Sequence, residues 1–71
     1  MEAVKIDDVI SEQTGQEKVT VDGISMPVLA LKKLLGDGYM HLRVYGENRT
    51  VCLWGKACSA CFTEQQLAER Q

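Results

Sequence analysis

The chain has 71 residues, of which 45% are hydrophobic and 25% charged, and its formal net charge is −2 at pH 7. A chain of this length forms a single small domain, residues 1–71, with a small core and little room for an enzyme cleft. The acidic balance argues against a general polyanion-binding protein. No apolar run approaches the roughly 18 residues of a membrane span, and the start "MEAVKIDDVI" lacks signal-peptide character, so we expect a soluble, cytoplasmic protein.

Charge is distributed unevenly along the sequence. Residues 1–22 contain six acidic and two basic side chains, whereas residues 23–71 contain four acidic and six basic ones. An anionic partner would therefore meet the second part of the chain.

The N-terminal third predicts a short helix and a strand. Apolar side chains between residues 4 and 10 fall on one side of a helix, and the following "TG" is a plausible stop. Residues 17–21 alternate between polar and apolar side chains, which predicts a strand, and "DG" then turns the chain.

The stretch "SMPVLALKKLLGDG" predicts the central helix, at about residues 27–35. Pro27 suits the first turn, and Gly36 suits a left-handed stop. Either Ser25 or Met26 provides the cap, because serine is the better capping side chain while the residue before proline prefers an extended backbone. The apolar side chains of this helix cover more than half of its circumference, so we expect it at the centre of the core.

Residues 39–54, "YMHLRVYGENRTVCLW", alternate strictly and predict two antiparallel strands closed by a tight "GENR" turn. In the register that this turn sets, Arg43 faces Cys52 and His41 faces Trp54. One side of the hairpin is apolar and should meet the central helix: Met40, Leu42, Val44, Val51 and Leu53. The opposite side is aromatic and cationic: Tyr39, His41, Arg43, Tyr45, Thr50, Cys52 and Trp54.

A C-terminal helix is predicted from Thr63. Thr63 and Gln66 form a capping box, and Phe62 and Leu67 occupy the positions of a hydrophobic staple. The predicted fold class is therefore α+β: a small antiparallel sheet, made of the hairpin at about 39–54 and the strand at about 17–21, packed with a central helix and short terminal helices.

The aromatic and cationic side of the hairpin has three interpretations. A terminal helix covers it, or it binds another protein, or it binds single-stranded nucleic acid by base stacking. We favour a small non-enzymatic regulator, inhibitor or adaptor that contacts another protein, with nucleic-acid binding as the alternative. The predicted partner-binding residues are Tyr39, Arg43, Tyr45, Arg49 and Trp54.

The cysteines leave a zinc site as a further alternative. The pair in "CSAC" has zinc-ligand spacing, and the set available is His41, Cys52, Cys58 and Cys61. We favour small apolar thiols without a metal or other cofactor, because a single C-x-x-C is weak evidence. Three cysteines cannot all pair within one chain, so a disulfide framework of the secreted kind is disfavoured, and reduced thiols or a bound metal are expected. With one histidine and no phosphate-binding loop, no catalytic residue is predicted.

Overall fold

The structure, a computed structural model, describes residues 3–70. Its elements in chain order are β1 (Val4–Lys5), α1 (Ile6–Glu12), β2 (Lys18–Val21), β3 (Ile24–Pro27), α2 (Val28–Gly36), β4 (His41–Tyr45), β5 (Thr50–Trp54), β6 (Ser59–Thr63) and α3 (Glu64–Ala68). One antiparallel sheet has the strand order β1-β4-β5-β6, and β2 pairs with β3 in a second. The predicted α+β class, with its central helix and short terminal helices, is confirmed. No helix among residues 3–70 has the length and apolarity needed to cross a membrane.

The hairpin of β4 and β5 has the predicted register. Arg43 lies opposite Cys52, and His41 lies opposite Trp54. A four-residue turn joins the strands, and Arg49 closes it with a left-handed backbone at a φ of 50°. Strict alternation in both strands, together with this turn, leaves the apolar side chains on one side of the hairpin.

The strand at Lys18–Val21 does not join the hairpin. It pairs with β3, an unpredicted strand, across a two-residue turn in which Asp22 and Gly23 both have positive φ, as in a type I′ turn. Ser25 and Met26 belong to β3, so neither caps α2. The N-cap is Pro27, which has an extended backbone and is the last residue of β3.

The chain between α2 and β4 breaks the alternation predicted for Tyr39 and Met40. Met40 is 48% exposed, whereas Tyr39 is partly buried against the core, the reverse of the predicted sides. Their backbone groups explain the change. The N–H of Tyr39 donates to the carbonyl of Leu34 at 3.0 Å and closes α2, and the N–H of Met40 donates to the carbonyl of Trp54 at 2.8 Å.

A single core lies between the four-stranded sheet and all the other elements. It takes side chains from the three helices, from both sheets and from the inner side of the hairpin: Ile6, Val9, Val19, Ile24, Met26, Leu31, Leu34, Leu42, Val44, Val51, Leu53 and Leu67. The helices and the β2–β3 hairpin therefore pack on the same side of the four-stranded sheet. The central helix contributes Leu31 and Leu34, as predicted, while Leu29 is 60% exposed.

Strand β6 forms one edge of the four-stranded sheet. The N–H of Gly55 donates to the carbonyl of Cys58 at 2.8 Å, and the N–H of Glu64 donates to the carbonyl of Arg49 at 3.0 Å, which fixes the phase of the β5–β6 ladder. Ladder bonds alternate along an antiparallel pair, so the backbone groups of Ser59 and Cys61 point away from β5. No described strand pairs with them there.

Candidate functional site

The side of the four-stranded sheet opposite the core, called the outer face below, is the candidate site. Register and alternation place ten residues on it: Lys5, His41, Arg43, Tyr45, Thr50, Cys52, Trp54, Ser59, Cys61 and Thr63. The interpretation that a terminal helix covers this face is wrong. Ile6 and Val9 of α1 and Leu67 of α3 are buried in the core on the inner side.

Aromatic and cationic side chains dominate the outer face. Arg43 is exposed, and its guanidinium carbon lies 5.4 Å from the centre of the Tyr45 ring, which is itself 42% exposed. His41 and Trp54 are partly buried, and their rings stack with centroids 5.7 Å apart and an interplanar angle of 16°. Each aromatic ring therefore has a neighbouring side chain on the regular sheet that restricts its motion, and this favours contact with a partner.

The outer face carries positive charge only. Lys5 and Arg43 lie on it, and none of its ten residues is acidic. Carboxylates are found on other elements, with Asp7, Asp8 and Glu12 all in α1. Positive side chains are therefore on the outer face, and these three carboxylates are on α1. One of the two cations, Lys5, comes from the acidic N-terminal part of the sequence.

Arg49, predicted as a charge at the rim of the site, is committed elsewhere. Its Nε and Nη2 atoms donate to Oε1 of Glu64 at 2.9 and 2.6 Å, while Oε2 of the same carboxylate accepts the N–H of Ser25 at 2.9 Å. The Ser25 N–H and the Arg49 guanidinium hold the pKa of Glu64 below its ordinary value. Arg49 therefore ties the hairpin turn to α3 and β3. Tyr39 also lies off the face, because it packs against the core.

Two of the three cysteines form a disulfide across the outer face. Cys52 and Cys61 are directly opposite on β5 and β6, with their Cα atoms 4.0 Å apart, and they are bonded to each other. This position is a non-hydrogen-bonded pair, in which side chains of antiparallel strands come closest. The expectation of reduced thiols is wrong for these two residues.

The C-x-x-C spacing does not bring its two cysteines together. Cys61 lies in β6, and Cys58 immediately precedes that strand, so a separation of three residues directs the side chains to opposite sides. Cys58 is a free thiol close to Gly38, at the end of the sheet where the chain enters β4. Within residues 3–70, no group of three or more histidine, cysteine or acidic side chains is placed to hold a metal ion.

Sequence reasoning missed Lys5 and strand β6. The strand had a usable signal: "SACFT" alternates, and the capping box fixes its end at Thr63. Lys5 gave none, because β1 has only two residues.

Comparison with known proteins adds no further assignment. The chain matches no family model, and neither the curated proteins nor the solved structures contain a significant match to it.

Proposed function

We propose that this protein acts by non-covalent binding to another protein through the outer face, and that it is a regulator, inhibitor or adaptor with no catalytic activity of its own. The observation that carries the proposal is the pairing of exposed Arg43 with exposed Tyr45 on a regular sheet that no described element covers. Trp54, stacked on His41, extends the same surface.

Residue type and rigidity both support a protein partner. Tyrosine, tryptophan and arginine are the side chains that contribute most to protein interfaces, and they do so at low entropic cost when they are already ordered. Arg43 and Tyr45 order each other through their cation–π contact. The patch that we propose contains three of the five predicted residues, Arg43, Tyr45 and Trp54. Tyr39 and Arg49 are not included, because Tyr39 packs against the core and Arg49 pairs with Glu64.

Single-stranded nucleic acid is the second candidate. The specific observation in its favour is the absence of carboxylates among the ten residues of the outer face. Exposed aromatic rings on a sheet stack with bases, and cations beside them meet phosphates. The negative net charge of the chain works against this candidate.

Capture of partners from a cell lysate by the tagged protein tests the proposal. Arg43→Ala and Tyr45→Ala should abolish capture while leaving the thermal midpoint close to that of the wild type, because both side chains are exposed. Lys33→Ala on α2 is the matched control, since it removes an exposed cation far from the outer face. A captured complex that survives nuclease treatment supports a protein partner, and one that is lost supports nucleic acid. Early melting of both variants would mean that the face is structural.

A further inference from the structure

We infer that the partner presents a short acidic segment in extended conformation, and that Arg43 and Lys5 receive its carboxylates. The inference rests on the proposed function, because it specifies the chemistry of the partner at the same face. Its basis is the unbalanced charge of the outer face.

Lys5 and Arg43 are close neighbours of like charge. Lys5 lies opposite His41 across the β1–β4 pair, and Arg43 follows two residues further along β4 on the same side. Such diagonal positions lie roughly 7 to 8 Å apart in an antiparallel pair. Among residues 3–70 neither cation has an ion pair, in contrast to Arg49, which Glu64 neutralises. Two unneutralised cations at this separation repel each other, and a partner carboxylate between or above them relieves the repulsion.

The spacing of the two cations selects the geometry of the partner. Alternate residues of an extended chain project to the same side about 6.4 to 6.8 Å apart, twice the rise per residue. Acidic residues separated by one position on an extended segment therefore match Lys5 and Arg43. Tyr45 follows Arg43 along β4 on the same face, and the partly exposed Trp54 lies beside His41 on β5. Both rings offer contact area to the segment's apolar side chains.

The same arrangement favours an acidic polypeptide over a polynucleotide. Nucleic-acid binding is built from many phosphate contacts, and the outer face has two cations, Lys5 and Arg43. In addition, Asp7 and Asp8 lie in the first turn of α1, directly after Lys5. These carboxylates add negative charge close to Lys5 in the chain, which weighs most against a partner that is charged along its whole length.

Amide chemical shifts of the 15N-labelled full chain test the inference with the synthetic peptide Glu-Ser-Glu-Ser-Tyr-Ser-Tyr, in which two Glu and two Tyr side chains project to the same side of an extended chain. We expect shifts centred on β4, β5 and Lys5 that disappear when Gln replaces Glu in the peptide. Arg43→Gln should weaken binding of the Glu peptide by roughly tenfold or more, as expected for a central interface arginine. Lys32→Gln is the charge-matched control, because it makes the same change in net charge on exposed α2 and should leave binding unchanged.

Equal binding of the Glu and Gln peptides would overturn the inference. So would an equal loss of affinity for the Glu peptide in Arg43→Gln and Lys32→Gln. A third contrary result would be chemical-shift changes at the outer face with an oligodeoxythymidine of matched length and none with the Glu peptide. Lysate capture distinguishes failure of the acidic-segment inference from failure of the proposed function. If Tyr45→Ala abolishes capture but Arg43→Gln does not, the face binds a partner that is not acidic. If neither variant changes capture, the outer face is not the binding surface.

Discussion

The carboxylate of Glu64, at the start of α3, accepts hydrogen bonds both from Arg49 in the hairpin turn and from the backbone N–H of Ser25. Both guanidinium contacts go to Oε1 of Glu64, at 2.9 and 2.6 Å, and the Ser25 N–H occupies Oε2 at 2.9 Å. One side chain thus joins the four-stranded sheet, the second sheet and the last helix. The hydrogen bond from the N–H of Ser25 is the largest single cause that lowers the pKa of this carboxyl, and the hydrogen bond from Arg49 comes next.

The contribution of Glu64 to stability should depend on pH in the acidic range. Its pKa is lower in the folded chain than in the unfolded chain, so the native state binds fewer protons. Stabilisation is therefore complete above the unfolded pKa of about 4.3 and is lost as the pH falls through the lower, folded pKa. We expect Glu64→Gln to be less stable than the wild type near neutral pH, with the difference shrinking below about pH 4.3.

Urea denaturation over a series of pH values measures this dependence. Glu47→Gln serves as the control, because it removes an exposed carboxylate from the neighbouring turn for which residues 3–70 show no ion pair. A difference between Glu64→Gln and the wild type that stays constant down to strongly acidic pH would contradict the assignment.

Gly55 should not tolerate a side chain. A Cβ atom on Gly55 would overlap the carbonyl oxygen of Gly38, a backbone atom that cannot rotate away. We expect Gly55→Ala to cost roughly 1 to 3 kcal/mol, the usual range for overpacking. Gly36→Ala is the matched control, because a Cβ there meets nothing within 4 Å, and alanine in a helix is favoured over glycine by up to about 1 kcal/mol. Equal unfolding free energies for the two variants would show that Gly55 does not lie against the backbone of Gly38.

Leu34 should contribute far more to stability than Leu29, although both lie in α2. Leu34 is 1% exposed within the core, and Leu29 is 60% exposed. Truncation of a buried leucine costs roughly 2 to 5 kcal/mol through lost transfer energy and the remaining cavity. The loss of unfolding free energy in Leu34→Ala should therefore approach the total stability of so small a domain. Leu29→Ala should change the unfolding free energy by less than about 0.5 kcal/mol. A loss below about 1 kcal/mol for Leu34→Ala in urea melts would place the core elsewhere.

The thiol count should distinguish one disulfide from three free cysteines. Alkylation of the unfolded chain without reductant should label Cys58 alone, and prior reduction should expose all three. Loss of the Cys52–Cys61 bond in a Cys52→Ala, Cys61→Ala variant should cost about 2 to 3 kcal/mol, as a loop of this length predicts. Cys58→Ser should leave both the bond and the stability intact. Three labelled thiols in the unreduced, zinc-free protein would rule the disulfide out.

Local patterns determined the parts of the fold that the sequence predicted. The register of β4 and β5 follows from strict alternation on both sides of a turn, and the start of α3 follows from the reciprocal bonds of Thr63 and Gln66. In both cases the residues that set the structure are neighbours along the chain.

The errors arose where one local signal competed with another. Pro27 is compatible with a helix start, so residues 25–27 are predicted at the start of the helix. The "DG" turn before them is typical of a β-hairpin and indicates strand β3 instead. The C-x-x-C spacing concealed the cross-strand pairing of Cys61, because the alternation of β6 is short and partly exposed. The engagement of Arg49 depends on Glu64, 15 residues away, and no local pattern links them.

The capping box of α3 also limits how far the sheet can grow. Thr63 has the same phase in β6 as Ser59 and Cys61, so its N–H would point to the open edge, but the side-chain oxygen of Gln66 accepts it at 2.9 Å. The row of free backbone donors on this edge is reduced to two residues, and the strand at the opposite edge has only two residues in all. Short edges of this kind are poor templates for intermolecular strand pairing. A substitution at Gln66 would therefore loosen a helix and, in the same step, expose a longer edge to self-association and aggregation.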